Sequence, residues 1–293
     1  MPHYINIGPH CVTPYECDFT MHCWAHMPKD NSVLSLARGA GWKLLEEGYK
    51  HLDEIPEDYT LGATASMQLT YYRSGEIDIE KDEIERFLEP LVYPLYFFDF
   101  ETIMPGIPEF DDSRPYQQIP FQFSLHVQHA SNGEVEHHAF LGDGINDPRL
   151  RLIEVMLKAL GETGSIVCYN MSFEKARIKE LAELYPQHET KLLAIHDRIF
   201  DLMLPFQKRW YYHPQFKGSY SIKAVLPVLI PELRYDALEI QDGGTASLVY
   251  AQLKNQDAET VKVQREQLLA YCKLDTLAMV RILDHLRNTV EMI

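Results

Sequence analysis

The stretch LVYPLYFFDFE, residues 91–101, decides how the chain is read. It is an almost unbroken apolar and aromatic run that ends in acids, the pattern of a central strand buried on both faces and leaving the core at its carboxyl end. Two further runs follow. IPFQFSLHVQHA (119–130) and EVEHHAFLG (134–142) flank Ser131-Asn132-Gly133, and Asn-Gly between such runs is a strong hairpin signal. Three antiparallel strands in a meander are expected.

Beyond them the period changes. PRLRLIEVMLKALGETG (148–164) places Leu152, Val155, Met156, Ala159 and Leu160 on one helical stripe with a glycine at its end. SIVCYN (165–170) is a second buried strand, MSFEKARIKELAELY (171–185) a second helix, and residues from about 260 to 290 a third. The spacing predicts an α/β domain over residues 91–293: a mixed sheet of three antiparallel strands followed by parallel ones, flanked by helices.

Upstream, residues 1–30 are loop-like and rich in Cys, His and Pro, a module tied by ligands rather than by a core. Residues 31–90 read as a helical connector. Within it SVLSLARGAGWKLLEEGYK (32–50) suggests helix, break, helix, and residues 78–88 an exposed helix.

Composition narrows the function. Of 293 residues, 46% are hydrophobic and 24% charged, which excludes a disordered or fibrous chain. No apolar run reaches the roughly 18 residues that span a bilayer, and no basic leader opens the chain, so a cytoplasmic protein without a membrane partner is expected. The 43 acidic against 27 basic residues give a net charge of −16, which opposes tight nonspecific binding to a phosphate backbone. A carboxylate-rich metal site remains compatible with that balance, because a single strand can be held by local contacts and stacking.

Phosphodiester hydrolysis by two metal ions needs acidic ligands converging from separate elements, since cations about 3.5–4 Å apart must grip one phosphate. Asp99 and Glu101, two apart on a strand, share one of its faces. Glu174 follows the strand 165–170 by four residues, near the start of a helix, with Asn170 and Phe173 just before it. Tyr271 and Asp275, four apart, lie one above the other on a helix, so that Tyr271 is placed to position or deprotonate a water beside a ligand aspartate. Read singly, each of these also fits a solvated acid or a core aromatic.

In order and spacing, Asp99-Phe100-Glu101, Asn170-x-x-Phe173-Glu174 and Tyr271-x-x-x-Asp275 resemble the three motifs of the DnaQ-like DEDD 3′→5′ exonucleases, in the subclass whose third motif uses Tyr. That resemblance implies a ribonuclease-H-like fold, single-stranded DNA or RNA as substrate, and two Mg²⁺ or Mn²⁺ ions held by Asp99, Glu101, Glu174 and Asp275. One position departs from it: Glu174 stands where most of these enzymes carry Asp, with Asp201 as a second candidate. More closely, YPLYFFDFET, RPYQQIPFQFSLH, SIVCYNMSFEKARIKEL, GSYSIKAVLP and YCKLDTLAM resemble the bacterial domain-of-unknown-function family 2779.

Cys11, Cys17 and Cys23, spaced by five residues each, suit an iron–sulfur cluster or a zinc site, with His10, His22 or His26 able to complete the zinc set. Their pattern also resembles the last three cysteines of iron–sulfur RecB-like nucleases. That likeness implies an upstream RecB-like nuclease domain in the same longer protein, with a 4Fe–4S cluster. Cys168 and Cys272 read as ordinary buried thiols.

KRWYYHPQFKGSYSIK (208–223) mixes bases and aromatics in an acidic chain. It suits a strand-binding surface in which Lys208, Arg209 and Lys217 meet phosphates and Tyr211, Tyr212 or Phe216 stack on bases, and it equally fits a partly buried loop. Arg114 and Tyr116 are further flanking candidates. Two functions are carried forward: the exonuclease, and a catalytically weak module that binds nucleic acid or a partner within a larger nuclease.

Overall fold

The structure is a computed structural model that describes residues 6–131 and 133–291. Along the chain run α1 (Thr20–Cys23), α2 (Ala40–Glu46), α3 (Ala63–Ser74), β1 (Asp78–Ile79), α4 (Lys81–Leu88), β2 (Leu95–Ile103), β3 (Ile119–Gln128) and β4 (Val135–Leu141). There follow α5 (Arg149–Ala159), β5 (Ser165–Cys168), α6 (Met171–Leu184), α7 (Glu189–Asp197), β6 (Ile199–Asp201) and α8 (Leu204–Gln207). The last elements are β7 (Tyr211–Tyr212), α9 (Ile222–Leu229), α10 (Gly243–Gln252) and α11 (Ala258–Glu291). Two compact units share these elements. The first takes the described residues of Met1–Ile79 with Tyr211–Ser219, the second those of Glu80–Trp210 with Tyr220–Ile293.

The second unit is α/β, built on a five-stranded mixed sheet in the order β4-β3-β2-β5-β6. The pairs β2–β3 and β3–β4 are antiparallel, as the meander requires, whereas β2–β5 and β5–β6 are parallel. Of the expected Asn132-Gly133 turn, Asn132 lies outside the described residues. Strand alternation explains how β2 serves two faces. Tyr96, Phe98 and Phe100 point into a core that holds Phe123, Leu125 and Val127 of β3, Leu152, Ile153 and Met156 of α5, Ile178 of α6 and Leu192 of α7. Phe98 and Phe100 meet edge to face at 4.6 Å, a geometry that adds about 1 kcal/mol to the area they bury.

The opposite face is covered by α11, which packs along β2 and β3. This contact is partly polar. Gln122 donates from Nε2 to the Leu268 carbonyl at 2.9 Å, and Ser124 and His126 each meet the Thr276 hydroxyl at 2.8 Å. Asp99, paired in register with Ser124, continues the same row towards the carboxyl end of β2.

The first unit has a small core of its own: Val33, Leu36, Leu44, Leu52, Ile55, Ala65 and Leu69. Residues 32–50 differ from the expected helix pair. They form two 3-10 turns, Val33–Ser35 and Ala37–Gly39, before α2, because Arg38 (φ 57) and Gly39 (φ 70) turn left-handed and break the helical ladder. Gly41 then lies so close to the chain that a Cβ there would fall 2.1 Å from the Val33 carbonyl oxygen. The helix expected over 78–88 starts only at Lys81, since Asp78 and Ile79 pair antiparallel with Tyr212 and Tyr211. Among the described residues, no helix is long and apolar enough to cross a membrane.

Candidate metal centre

Three elements of the second unit deliver acids to one place. Asp99 and Glu101 stand on the α11 face of β2, and the β2–β3 register shifts immediately after Glu101, a bulge that re-aims the strand end. Asn170 links β5 to α6 in the left-handed region (φ 73, ψ 65), which Asn tolerates better than most side chains. The amides of Asn170 and Met203 both donate to Asp201 Oδ1 at 3.0 Å, which pins this turn. Glu174 then falls in the first turn of α6, buried, with Oε2 lacking any hydrogen-bond partner. From α11, Tyr271 and Asp275 arrive one turn apart.

The four acids Asp99, Glu101, Glu174 and Asp275 meet in one cavity of about 270 Å³, lined also by Asn170, Phe173, Lys223 and Tyr271 among others. It opens at the carboxyl ends of the parallel strands β2 and β5, where α/β sheets commonly place their ligands. Tyr235, buried in a 3-10 turn before α10, donates its hydroxyl to Asp275 Oδ1 at 2.5 Å, and its ring lies 6.2 Å from that of Tyr271. Lys223 of α9 donates Nζ to the Gln241 carbonyl at 2.7 Å and sits 5.5 Å from the ring centres of both tyrosines.

Concentrating four carboxyls in little water is costly, and their acidities show it. Burial, then the charges of Asp275, Glu101 and Glu174, lifts Asp99 well above the carboxylate range. Burial, reinforced by Asp275, pushes Glu101 up to about 8, and burial likewise pushes Glu174 up to about 8. Burial raises Asp275 to about 6, with hydrogen bonds from Tyr235 and Tyr271 and the charge of Lys223 pulling the other way. The Tyr271 hydroxyl is held firmly protonated, by burial and by Asp275, Glu101 and Asp99. Its one proton goes to Asp275, so towards a water the phenol oxygen is an acceptor.

Of the residues singled out in the sequence, Asp99, Glu101, Asn170, Phe173, Glu174, Tyr271 and Asp275 line this cavity. Asp201 does not, because its carboxylate is engaged by backbone amides. Of its two readings, the basic and aromatic stretch takes that of a partly buried loop at its tyrosines. Tyr212 is 6% exposed, and Tyr211 and Phe216 are buried beside it, because they pair with β1 or pack within the first unit, so they present no stacking surface. Lys217 is ion-paired with Asp30 in that same unit. Lys208 is exposed and Arg209 half-buried after α8, neither of them among the cavity's lining residues. Arg114 borders a different cavity with Asp112 and Glu180, and Tyr116 is exposed.

Cys11 is half-buried and Cys17 and Cys23 are exposed. Among the described residues, the group of His, Cys, Asp and Glu side chains whose ligand atoms all lie within 4.8 Å of one another is Asp99, Glu101 and Cys272, and the three N-terminal thiols do not form one. Cys272 is buried as expected, with its Sγ 3.8 Å from Asp99 Oδ2. Tyr235 is the residue beside the site that sequence reasoning overlooked; Lys223 closes the basic and aromatic stretch 208–223 and Cys272 sits next to Tyr271 and three before Asp275, but neither was joined to the acids.

The arrangement defines an α/β protein with a carboxylate cluster at the carboxyl end of its central strand. Residues 96–221 match the model of a family described as "Domain of unknown function (DUF2779)". That segment takes in Asp99, Glu101 and Glu174 and ends before Tyr271. The chain is similar to the "Uncharacterized protein MG366 homolog" of Mycoplasma pneumoniae, 30% identical over 206 residues, covering 64% of this chain and 31% of the relative. It is also similar to the "Uncharacterized protein UU173" of Ureaplasma parvum, 26% identical over 244 residues, covering 75% and 35%. These matches support kinship with the DUF2779 family. The chain spans about a third of the length of the curated relatives it matches. No solved structure matches it.

Proposed function

We propose that the second unit is a metal-dependent 3′→5′ exonuclease of the DnaQ-like DEDD type, on a ribonuclease-H-like fold, that hydrolyses phosphodiester bonds of single-stranded DNA or RNA. The observation that carries this reading is the convergence of Asp99, Glu101, Glu174 and Asp275 from three elements on one cavity that Tyr271 also lines. A three-stranded antiparallel meander continued by parallel strands supports the fold assignment. The direction of cleavage follows from the motif resemblance.

The residues fit divalent cations. Glu174 Oε2 is a buried oxygen without a partner, and burial works against ionising all four acids, a cost that a bound cation offsets. Asp99, Glu101, Glu174 and Asp275 would hold two Mg²⁺ or Mn²⁺ ions, which when bound neutralise the phosphate and acidify its attacking water. The chain's own groups do the rest. The Tyr271 hydroxyl orients the water, and Tyr235 fixes the rotamer of Asp275. Lys223 meets the phosphate at the cavity's edge. The Phe173 ring, backed by the Arg177 guanidinium at 5.2 Å, offers a face to the terminal base.

The test is end-labelled single-stranded DNA and RNA incubated with the protein in Mn²⁺ or in EDTA. Stepwise shortening in Mn²⁺, absent in EDTA and in Asp275→Ala, supports the proposal. No shortening of either strand, or undiminished activity in Asp275→Ala, overturns it and leaves the binding module.

A further inference from the structure

Cys272 separates this cluster from an all-oxygen one. It follows Tyr271 and precedes Asp275 by three residues on α11, and Thr276, one turn on, reaches Ser124 and His126 of β3. That face of α11 therefore lies on the sheet, and the Cys272 sulfur meets β2 where Asp99 emerges, 3.8 Å from its Oδ2. The sulfur and one oxygen each of Asp99 and Glu101 are mutually within 4.8 Å, so one ion can touch all three. A second observation points to a ligand independently. Glu174 Oε2, on a side chain only 2% exposed, has no hydrogen-bond partner, and Glu174 lines the cavity together with Asp99 and Glu101, above the buried Cys272 sulfur.

We propose that Cys272 is a thiolate ligand of this centre. One cation position then has an oxygen–oxygen–sulfur donor set from Asp99, Glu101 and Cys272, and selects a thiophilic divalent ion such as Zn²⁺ or Co²⁺ over Mg²⁺. The inference rests on reading the carboxylates as a metal centre. Its chemistry is general: Mg²⁺ keeps to oxygen ligands in near-octahedral geometry, while thiolates favour softer ions and accept lower coordination numbers. As the sulfur–metal bond forms, the S–H bond breaks and its proton passes to solvent, so a dication meets three negative charges. Zn²⁺ would act as a tight-binding competitor at a position that hydrolysis needs filled by a harder ion.

The test is Co²⁺ titration of the full chain carrying Cys11→Ser, Cys17→Ser and Cys23→Ser, read by the near-ultraviolet sulfur-to-cobalt charge-transfer band. Mn²⁺ binding is followed in parallel by paramagnetic resonance. The proposal expects the band in this chain, kept on adding Cys168→Ala and lost on adding Cys272→Ala. It also expects Co²⁺ affinity to fall at least about tenfold in the Cys272→Ala chain, with Mn²⁺ binding changed much less. Cobalt and manganese bound through carboxylates without any sulfur band overturns the thiolate ligand and leaves the metal centre standing, Cys272 then being a hydrogen-bond donor to Asp99. No divalent ion bound at all overturns both. Because the band is first sought in the chain that retains Cys272, a poorly folding Cys272→Ala does not protect the proposal.

Discussion

Tyr235 and Asp275 stand forty positions apart and share a buried hydrogen bond of 2.5 Å from the phenol to Oδ1. The bond holds the one site acid delivered by α11 at a fixed angle to β2. A charge-assisted bond of this kind contributes about 1.5–3 kcal/mol. It favours the ionised form of Asp275, against the burial that pushes its pKa to about 6.

Tyr235→Phe keeps the packing and removes the donor. Asp275 is then harder to ionise, so the pH midpoint of Mn²⁺ binding should move upward, and Mn²⁺-dependent turnover near neutral pH should fall about tenfold, the cost of roughly 1.4 kcal/mol. An unchanged binding midpoint in a folded variant contradicts the assigned role.

The carboxyl cluster makes the metal-free protein sensitive to alkali. Glu101 and Glu174 both rise from 4.5 to about 8 on folding, so the native state prefers them protonated. That preference is fully present below about pH 4.5 and is lost as the pH climbs through about 8. His126 and His137, which burial lowers to about 3 and about 4, act in the opposite sense and in a lower window, losing stability as the pH falls from 6.5. In EDTA, the melting temperature should therefore drop by several degrees as the pH rises from about 4.5 to about 8 and level off above it, at roughly 2–4 °C per kcal/mol. Mn²⁺ should cancel the drop and Glu174→Gln reduce it. A melting temperature flat across that range in EDTA would contradict the electrostatic account.

Lys223 has two opposed effects that one substitution separates. Its charge favours ionised Glu101 and Asp275, and it competes with any cation placed among them. Lys223→Met should raise Mn²⁺ affinity a few-fold, a modest gain because the side chain is exposed and screened. The same change should weaken binding of a single-stranded oligonucleotide by about tenfold through loss of a phosphate contact. If strand binding is not weakened, Lys223 is not the phosphate contact.

The stretch 208–217 gives a contrast. Lys217→Ala breaks only an exposed ion pair with Asp30, worth about 1 kcal/mol or less. Strand binding measured by fluorescence anisotropy should stay within about twofold of wild type, and a larger loss would restore the basic stretch as a binding surface.

These residues also show what a sequence makes legible. LVYPLYFFDFE announced its strand because a β-strand buried on both faces has few alternatives, and β2 occupies Leu95–Ile103. Tyr271 and Asp275 were readable because helical spacing alone stacks them. Tyr235 was not, since it sits in a short turn whose only constraint is the distant Asp275. Cys272 read as core because burial is what its neighbours on α11 predict; the acid beside it comes from another strand. Tyr211 and Tyr212 misled for the same reason, as their pairing with Ile79 and Asp78 bridges more than a hundred residues and leaves no local trace. Gly39 signalled a break in 32–50, but not that Arg38 beside it also turns left-handed.

The central claim is that Asp99, Glu101, Glu174 and Asp275 form a metal centre, and the number of Mn²⁺ ions bound, measured by paramagnetic resonance, tests it most directly. The account predicts two ions on the wild-type chain, released by EDTA, with at least one lost in Asp99→Asn. No bound Mn²⁺, or binding untouched by Asp99→Asn in a folded protein, would contradict it.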